Sequence, residues 1–540
     1  MKKQKMKSKK FIFLSSILLL LVCLLFAGSC SARRQGSADY EDDLSRHYVF
    51  SIGILNPGNM TGTDFNNDDV AKYFRDQFNF SWNVSQYGWD QYGQIEKIWI
   101  NTMDMPDIVF CPFGFNDYRN WTEQGLVKQF PDGWKDRFPN LAESFERSTL
   151  GPELEKRFGN VAYFPSTLYS IMPTSPELVM HHSIVFRKDW ARALGFEIKD
   201  QYTLQEFTAM IEKFQAEGSS LPGVVRGRTD TWNLSTVRVI AAFLSSQWIH
   251  STQFYKNDEG KYVWGPDDPR TFELTLNMRN AINRGIVSRN FASFQGEEQD
   301  ALFATGQAFA MYNGAHIQLM NRYFNQFRDA TGLNPYDCLQ QAVLTDPDGH
   351  LQEMESLNYW CGVYFNPEMS NAKFTRLLSI LDAVASAEGQ NIVRWGFEGK
   401  DYTIDDGLMT VTRTKDANGN FIPIESLYPG AGIFSYVPIN GGGLDFIDPA
   451  NPPGIIESVK NMYAVKQRIG VDTGTVKPYN FETAFFNTPA FLRFGVNAGT
   501  ELIRIASMPG DLRTNYNNWL RDMRPVVDPV LAELNAAFGK

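Results

Sequence analysis

Histidine and cysteine are scarce in this chain, with 6 of the first and 5 of the second in 540 residues. No H-E-x-x-H, G-x-S-x-G or Walker A pattern occurs, so the short signatures of zinc peptidases, serine hydrolases and P-loop NTPases are missing. Cys23 and Cys30 lie in an apolar leader, which leaves Cys111, Cys338 and Cys361. Three widely spaced cysteines without a C-x-x-C make neither a disulfide framework nor a zinc site; they read as small buried residues with room for one bridge. His181 and His182 are adjacent, and neighbours on a strand leave opposite faces, which argues against a shared metal. Asp416 to Asn420 offers calcium-like oxygens, but Phe421 stands where an EF-hand needs glycine and Leu427 where it needs glutamate; a hairpin turn is the better reading. No resident metal or cofactor is expected.

Positive charge is also in deficit. Lys and Arg number 51 against 61 acids, a net of −10, and setting aside six leader lysines leaves 45 against 61, or −16. Such a surface repels phosphate backbones, so nucleic acid is excluded as a partner. Long apolar runs are absent after Leu25, so nothing beyond the leader reads as a membrane span.

The leader itself is informative. Lys2, Lys3, Lys5, Lys7, Lys9 and Lys10 form a basic n-region, the sixteen residues Phe11 to Phe26 an h-region, and Ala27-Gly28-Ser29-Cys30 a cleavage site. That is the pattern of a signal peptide over 1–29, its apolar core short of the roughly 20 residues of a span. It resembles a relaxed bacterial lipobox, with Ala27 where leucine is usual. The resemblance implies a Cys30 that carries palmitate-type acyl chains and becomes the mature N-terminus. Several chains hold a protein on a membrane it does not cross, at about 0.8 kcal/mol per buried CH₂. Residues 30–45 then form a polar, lipidated tether.

The remaining 490 or so residues suffice for two or three domains. Aromatics reach 14%, with 41 Phe, 22 Tyr and 12 Trp. Most of these serve a core, but Tyr87-Gly88-Trp89, Asp230-Thr231-Trp232-Asn233 and Asn358-Tyr359-Trp360 lie in turn-like places, where rings with a polar handle stack on sugars. Short apolar strands alternate with helical patterns, the mark of an α/β fold. Strands are expected at His47–Leu55, Phe80–Ser85, Ile108–Phe110, His181–Phe186 and Ala308–Tyr312, and helices at Asp68–Phe78, Phe272–Arg284, Phe374–Gly389 and Ile455–Ile469. Thr203 with Glu206 is a capping box, and Tyr255–Trp264 a hairpin around Asp258-Glu259-Gly260.

Five segments in order carry a family resemblance: Met105-Pro106-Asp107-Ile108; Val185-Phe186-Arg187-Lys188-Asp189-Trp190 with Leu194-Gly195; Thr203-Leu204-Gln205-Glu206-Phe207; Gly306-Gln307-Ala308-Phe309-Ala310-Met311; and Ala387 through Thr403. They resemble the large extracellular solute-binding lipoproteins of bacterial ABC importers, the oligosaccharide branch related to alginate-binding proteins. The resemblance implies a type II periplasmic-binding fold, two α/β lobes joined by a hinge around a ligand cleft. It places an N-terminal lobe at 46–175 and 357–398 and a C-terminal lobe at 176–356 and 399–540. It further implies capture of an oligosaccharide by hinge closure, delivery to ABC permease subunits, a monomer, and a lipid anchor on the extracytoplasmic face. Some relatives carry a calcium loop where Ala216 to Pro222 stands here without carboxylates, so a metal there is not expected.

The same resemblance implies cleft residues. Trp232 stands where maltose-binding relatives place a stacking ring, the plain alternative being a core tryptophan. Tyr312, Asn313 and His316 follow a strand used to line the cleft, although His316 also suits a helix start. Phe113 and Asn116 lie after the third strand, and Tyr359 and Trp360 at the presumed hinge. Arg187 is a candidate for an anionic sugar or a structural ion pair. Tyr87, Trp89, Tyr436 and Phe486 are weaker candidates, otherwise core or rim. A surface-anchored carbohydrate-active enzyme is the alternative, with Asp104 and Asp107 or Asp405 and Asp406 as its acid pair; a ligand-binding partner of a membrane sensor kinase is another. Acids in turns are more often simply solvated, so no catalytic residue is assigned.

Overall fold

The structure is a computed structural model that describes residues 42–55, 63–88, 91–159, 161–167, 179–288, 290–294, 298–405, 408–416, 419–434 and 450–539. Cys30, Trp89, Asp406 and Tyr436 lie outside the described residues. In chain order the strands are β1 (Tyr48–Leu55), β2 (Phe80–Tyr87), β3 (Ile108–Cys111), β4 (Tyr163–Thr167), β5 (His182–Arg187), β6 (Gln201–Thr203), β7 (Asp230–Asn233), β8 (Phe254–Lys256), β9 (Tyr262–Trp264), β10 (Ala308–Gly314), β11 (Leu339–Thr345), β12 (Glu353–Met354), β13 (Tyr359–Phe365), β14 (Tyr402–Asp405), β15 (Leu408–Val411) and β16 (Val476–Lys477).

Two five-stranded sheets organise the chain, one ordered β2-β1-β3-β13-β4 and the other β6-β11-β5-β10-β7. In the first, β1 runs parallel to β2 and β3, while β13 is antiparallel to β3 and β4. Both faces of this sheet are covered, and its central strand Ile108–Cys111 is an apolar run buried at every position. Phe50, Ile52, Phe74, Phe80 and Trp82 pack on one face, and Ile100, Val109, Tyr118, Tyr163 and Tyr364 on the other. In the second sheet β5 is antiparallel to both β10 and β11, whereas β10 and β7 are parallel. Its two faces carry separate cores, around Phe186, Phe207, Trp232 and Phe309 on one side and Met311, Met320, Tyr323 and Val459 on the other.

The expected capping box is present: Thr203 Oγ1 accepts from the Glu206 N–H at 3.2 Å, and Glu206 Oε2 accepts from the Thr203 N–H at 2.9 Å. The hairpin β8–β9 is present too.

The lobe boundary expected at 398/399 needs correction. Tyr428, Ala431, Ile433 and Phe434 belong to the core of the first sheet, with Phe434 edge-on to Phe74 at 5.0 Å. The link is local and specific, because Asp68 caps the helix Asp69–Phe78 through the Ala71 N–H at 2.9 Å and accepts the Gly430 N–H at 2.5 Å with its other oxygen. Residues 450–539 return mainly to the second sheet, where Ile455 and Met462 cover one face and Leu502, Ile505 and Trp519 the other, while Phe481 and Phe485 pack into a core of the first sheet. Among the described residues no helix is long and apolar enough to cross a membrane.

Candidate functional site

Strand direction identifies the working edges. In the first lobe β1, β2 and β3 end at Leu55, Tyr87 and Cys111, and the antiparallel β13 begins beside them at Tyr359. β4 also ends there, Thr167 lying opposite Tyr359. In the second lobe β10 and β7 end at Gly314 and Asn233, and β5 begins beside them at His182. The chain leaves the first lobe after Thr167 and enters the second just before His182; it returns from Thr345 through β12 to Tyr359. Both crossings join the same two edges. Ligands of open α/β sheets lie at such carboxyl ends.

A third connection fastens the crossings. β12 pairs in parallel with β16, Glu353 opposite Val476. Lys466, 1% exposed, donates from Nζ to Glu353 Oε1 at 2.5 Å and to the Met180 carbonyl at 2.6 Å. The Met180 N–H in turn donates to Glu353 Oε2 at 3.0 Å. One carboxylate thus ties together the segment leading into β5, the ribbon between the lobes, and the helix Pro453–Lys466.

The second-lobe edge carries a cluster of rings and charges. His181 and His182 have ring centroids 5.0 Å apart, and His316 stands edge-on to His181 at 4.9 Å. The expectation that His181 and His182 diverge is corrected: β5 begins only at His182, so strand alternation does not govern His181. Arg238 Nη1 lies 3.0 Å from His182 Nε2. Since a guanidinium only donates, Nε2 accepts and the ring proton sits on Nδ1. Gly314 permits this crowding, because a Cβ there would stand 3.0 Å from His181 Nε2 and 2.8 Å from Leu319 Cδ1. His181, His182, His316 and Arg238 are partly buried and keep some exposed surface. Burial holds the histidines neutral, His316 down to about 4 and the other two well below their ordinary value, with the neighbouring cations adding to the effect. Among the described residues no group of three or more His, Cys, Asp or Glu is placed to hold a metal ion.

Three sequence candidates share this edge. Tyr312 is 7% exposed and faces His182 at 6.4 Å. Asn313 donates from Nδ2 to Asp300 Oδ1 at 2.5 Å, and Tyr323 OH donates to Asp300 Oδ2 at 3.1 Å, so the amide is held in place. His316 precedes the helix Ile317–Thr331 at its N-cap, where its side chain makes no capping bond.

On the first-lobe edge Phe113 packs with Phe115, Tyr163 and Tyr359 at 4.9, 5.0 and 6.3 Å, and Asn116 is exposed. Tyr359 is half-buried beside them, and Trp360 lies next to it in β13. Tyr479 stacks over Phe115 at 6.4 Å, with burial pushing its hydroxyl up to about 12. Tyr92 places its hydroxyl 2.6 Å from Cys361 Sγ.

Other candidates lie elsewhere. Trp232 is a core residue: fully buried, it packs against Phe207 at 5.0 Å and Phe243 at 5.7 Å and offers no open face. Arg187 stands at the far end of β5, 3% exposed, paired with Asp189 at 2.5 Å and stacked 3.6 Å over Trp190, so its role is the structural ion pair. Tyr87 is buried and donates to the Phe110 carbonyl at 2.5 Å, and Phe486 is a core residue of the second lobe. Asp107 accepts from the Ser51 N–H and Lys373 Nζ, each at 2.7 Å, which makes it a brace rather than half of an acid pair. Cys111, Cys338 and Cys361 are free and buried.

Arg238, Tyr92 and Tyr479 were not singled out in the sequence, and His181 and His182 were weighed there only as a metal pair. The signal available was the adjacent histidine pair opening a strand. Two concavities lie away from both edges, one of about 310 Å³ beside Phe130, Trp134 and Glu155, the other of about 290 Å³ beside Tyr73, Phe397 and Lys400.

No family model matches the chain, and a search of curated proteins found no match. Solved structures do match. A crystal structure of the alginate-binding protein AlgQ2 without calcium ion is 14% identical, with a TM-score of 0.63 over 93% of this chain and 100% of that one. An EF-hand mutant of the S. pneumoniae ABC-transporter substrate binding protein FusA, in complex with fructo-nystose, is 14% identical with a TM-score of 0.62 over 91% and 98%. An extracellular solute-binding protein from Bifidobacterium longum subsp. infantis is 12% identical with a TM-score of 0.60 over 90% and 96%. The two-sheet, hinged α/β architecture is therefore the type II periplasmic-binding fold.

Proposed function

We propose that this protein is the substrate-binding component of an ABC importer, which captures an oligosaccharide between its lobes and delivers it to a membrane permease. The observation that carries this reading is the pair of strand edges joined by the crossings after Thr167 and Thr345 and by the β12–β16 ribbon, one carrying Tyr312, Asn313, His316 and Arg238 and the other Phe113, Tyr359 and Tyr479. Neighbours described as alginate-binding and as a fructo-nystose complex support a saccharide as the ligand class. Closure about the β12–β16 ribbon would trap it by hinge motion. The engaged Asp107 argues against the enzyme alternative.

A thermal-shift screen against oligosaccharides tests the reading. A ligand at 100 times its Kd stabilises the folded state by about 2.7 kcal/mol, and small-angle scattering of the saturated protein should show a smaller radius of gyration. Stabilisation without any change in scattering would count against a hinged binder. The reading also includes an extracytoplasmic monomer held at the membrane by lipid on Cys30. Cys30→Ala should release the protein from membranes or leave its leader attached, and an unmodified N-terminal peptide cleaved elsewhere would exclude the anchor.

A further inference from the structure

We propose that Arg238, oriented by His182, is the anchor for an anionic group of the ligand, so that the saccharide held in the cleft is acidic. The inference rests on the solute-binding reading of the same cleft. Arg238 follows the end of β7 and reaches the first residue of β5, at the second-lobe edge. Its one hydrogen bond among the described residues is to a neutral acceptor, His182 Nε2 at 3.0 Å, and no carboxylate among those residues lies within ion-pair distance. The carboxylate whose field reaches it, Asp300, already accepts from Asn313, Tyr323 and Gln299 and stands 3.7 Å from Arg322. Lys466, the other cation near His182, is satisfied by Glu353 and the Met180 carbonyl.

A guanidinium taken most of the way out of water without a counter-charge is unfavourable unless something repays it, and an anion bound from solution does so. The single bond to His182 leaves other guanidinium N–H groups to bind the two oxygens of a carboxylate, or those of a sulfate, in the forked geometry that arginine favours. The His182 ring fixes the direction of the fork. The three histidines, neutral in this environment, supply rings and hydrogen-bond partners rather than competing charge.

Titration calorimetry against two sets of probes tests this. One set is acidic: galacturonate, mannuronate, guluronate, hyaluronan and chondroitin sulfate tetrasaccharides. The other is neutral: malto-, cello-, xylo- and fructo-tetrasaccharides. The expected hit is acidic. Reducing its carboxyl groups, or desulfating it, should weaken binding by roughly ten- to a hundredfold, the usual worth of a charge-assisted hydrogen bond. Arg238→Gln should cost a similar factor toward the acidic probe while binding of the neutralised probe hardly changes, and Arg238→Lys should fall between. Should Arg238→Gln fail to fold, the comparison of wild-type protein on charged and neutralised probes still decides. A neutral hit bound equally by wild type and Arg238→Gln overturns the anion anchor and leaves the binding function standing. No hit in either set counts against both.

Discussion

Phe485 and Phe486 are consecutive in the chain and are sealed into different lobes. Phe485 packs edge-on to Phe115 at 4.6 Å, with Arg157 4.5 Å above its ring and its carbonyl accepting from Arg119 Nη2 at 2.9 Å, all on the first lobe. Phe486 packs with Phe491 at 5.4 Å and Phe538 at 5.2 Å in the second. One peptide bond therefore spans the boundary, and Glu482 just before it accepts from Tyr262 OH at 3.2 Å.

Truncating the two rings should have different consequences. Each Phe→Ala change removes a packed ring, at about 3–5 kcal/mol. Phe485→Ala unpins the connecting segment from the first lobe, so solution scattering should show a larger radius of gyration in the unliganded protein. Phe486→Ala should lower the melting temperature without that expansion. Identical scattering curves for the two variants would remove Phe485 from the hinge.

The Glu353–Lys466 pair should be strongly coupled. Lys466→Met leaves the Glu353 carboxylate, 13% exposed, with the Met180 N–H as its remaining partner here. Breaking one side of a buried pair costs about 3–5 kcal/mol, whereas replacing both sides often costs less. Denaturant unfolding of Lys466→Met, Glu353→Gln and the double variant should show the double change costing less than the two singles added together. Simple additivity would mean the pair does not fasten the crossings.

His316 makes stability depend on pH in a definite direction. Its folded pKa is pushed down to about 4 from an ordinary 6.5, so between those values the unfolded chain binds more protons and stability rises with pH. The contribution is complete above 6.5 and is lost as pH falls toward 4. His181 and His182, also held low, act in the same sense. The melting temperature should drop between pH 7 and pH 5, and His316→Asn should flatten part of that drop. A variant with the wild-type pH profile would show that the ring is not held neutral.

Trp232→Ala should cost about 3–5 kcal/mol of stability, as emptying a packed tryptophan site does. The folded fraction that survives should bind ligand with unaltered affinity in calorimetric titration. A tenfold loss of affinity in a protein with the wild-type melting temperature would return Trp232 to the cleft.

Much of this architecture was written in local pattern. Buried strands such as Ile108–Cys111 announce themselves by continuous apolar residues, and the Thr203–Glu206 cap by two side chains three positions apart. The resemblance segments led to Tyr312, Asn313 and His316 at one strand end, which the structure brings to the same edge. These features depend on neighbours within a few residues, so period and spacing suffice to find them. What covers a given side chain depends instead on segments distant in the chain. Trp232 lies in a turn-like sequence but is closed over by Phe207 and Phe243. Asp68 and Gly430 meet across 362 positions and carry residues up to 434 into the first lobe. Arg238 reaches His182 across 56 positions, and Phe485 and Phe486 look alike until the two lobes divide them. Local preference selects the elements; burial and pairing are settled only when distant faces compete for the same water-excluded surface, and that competition has no trace in any short window of residues.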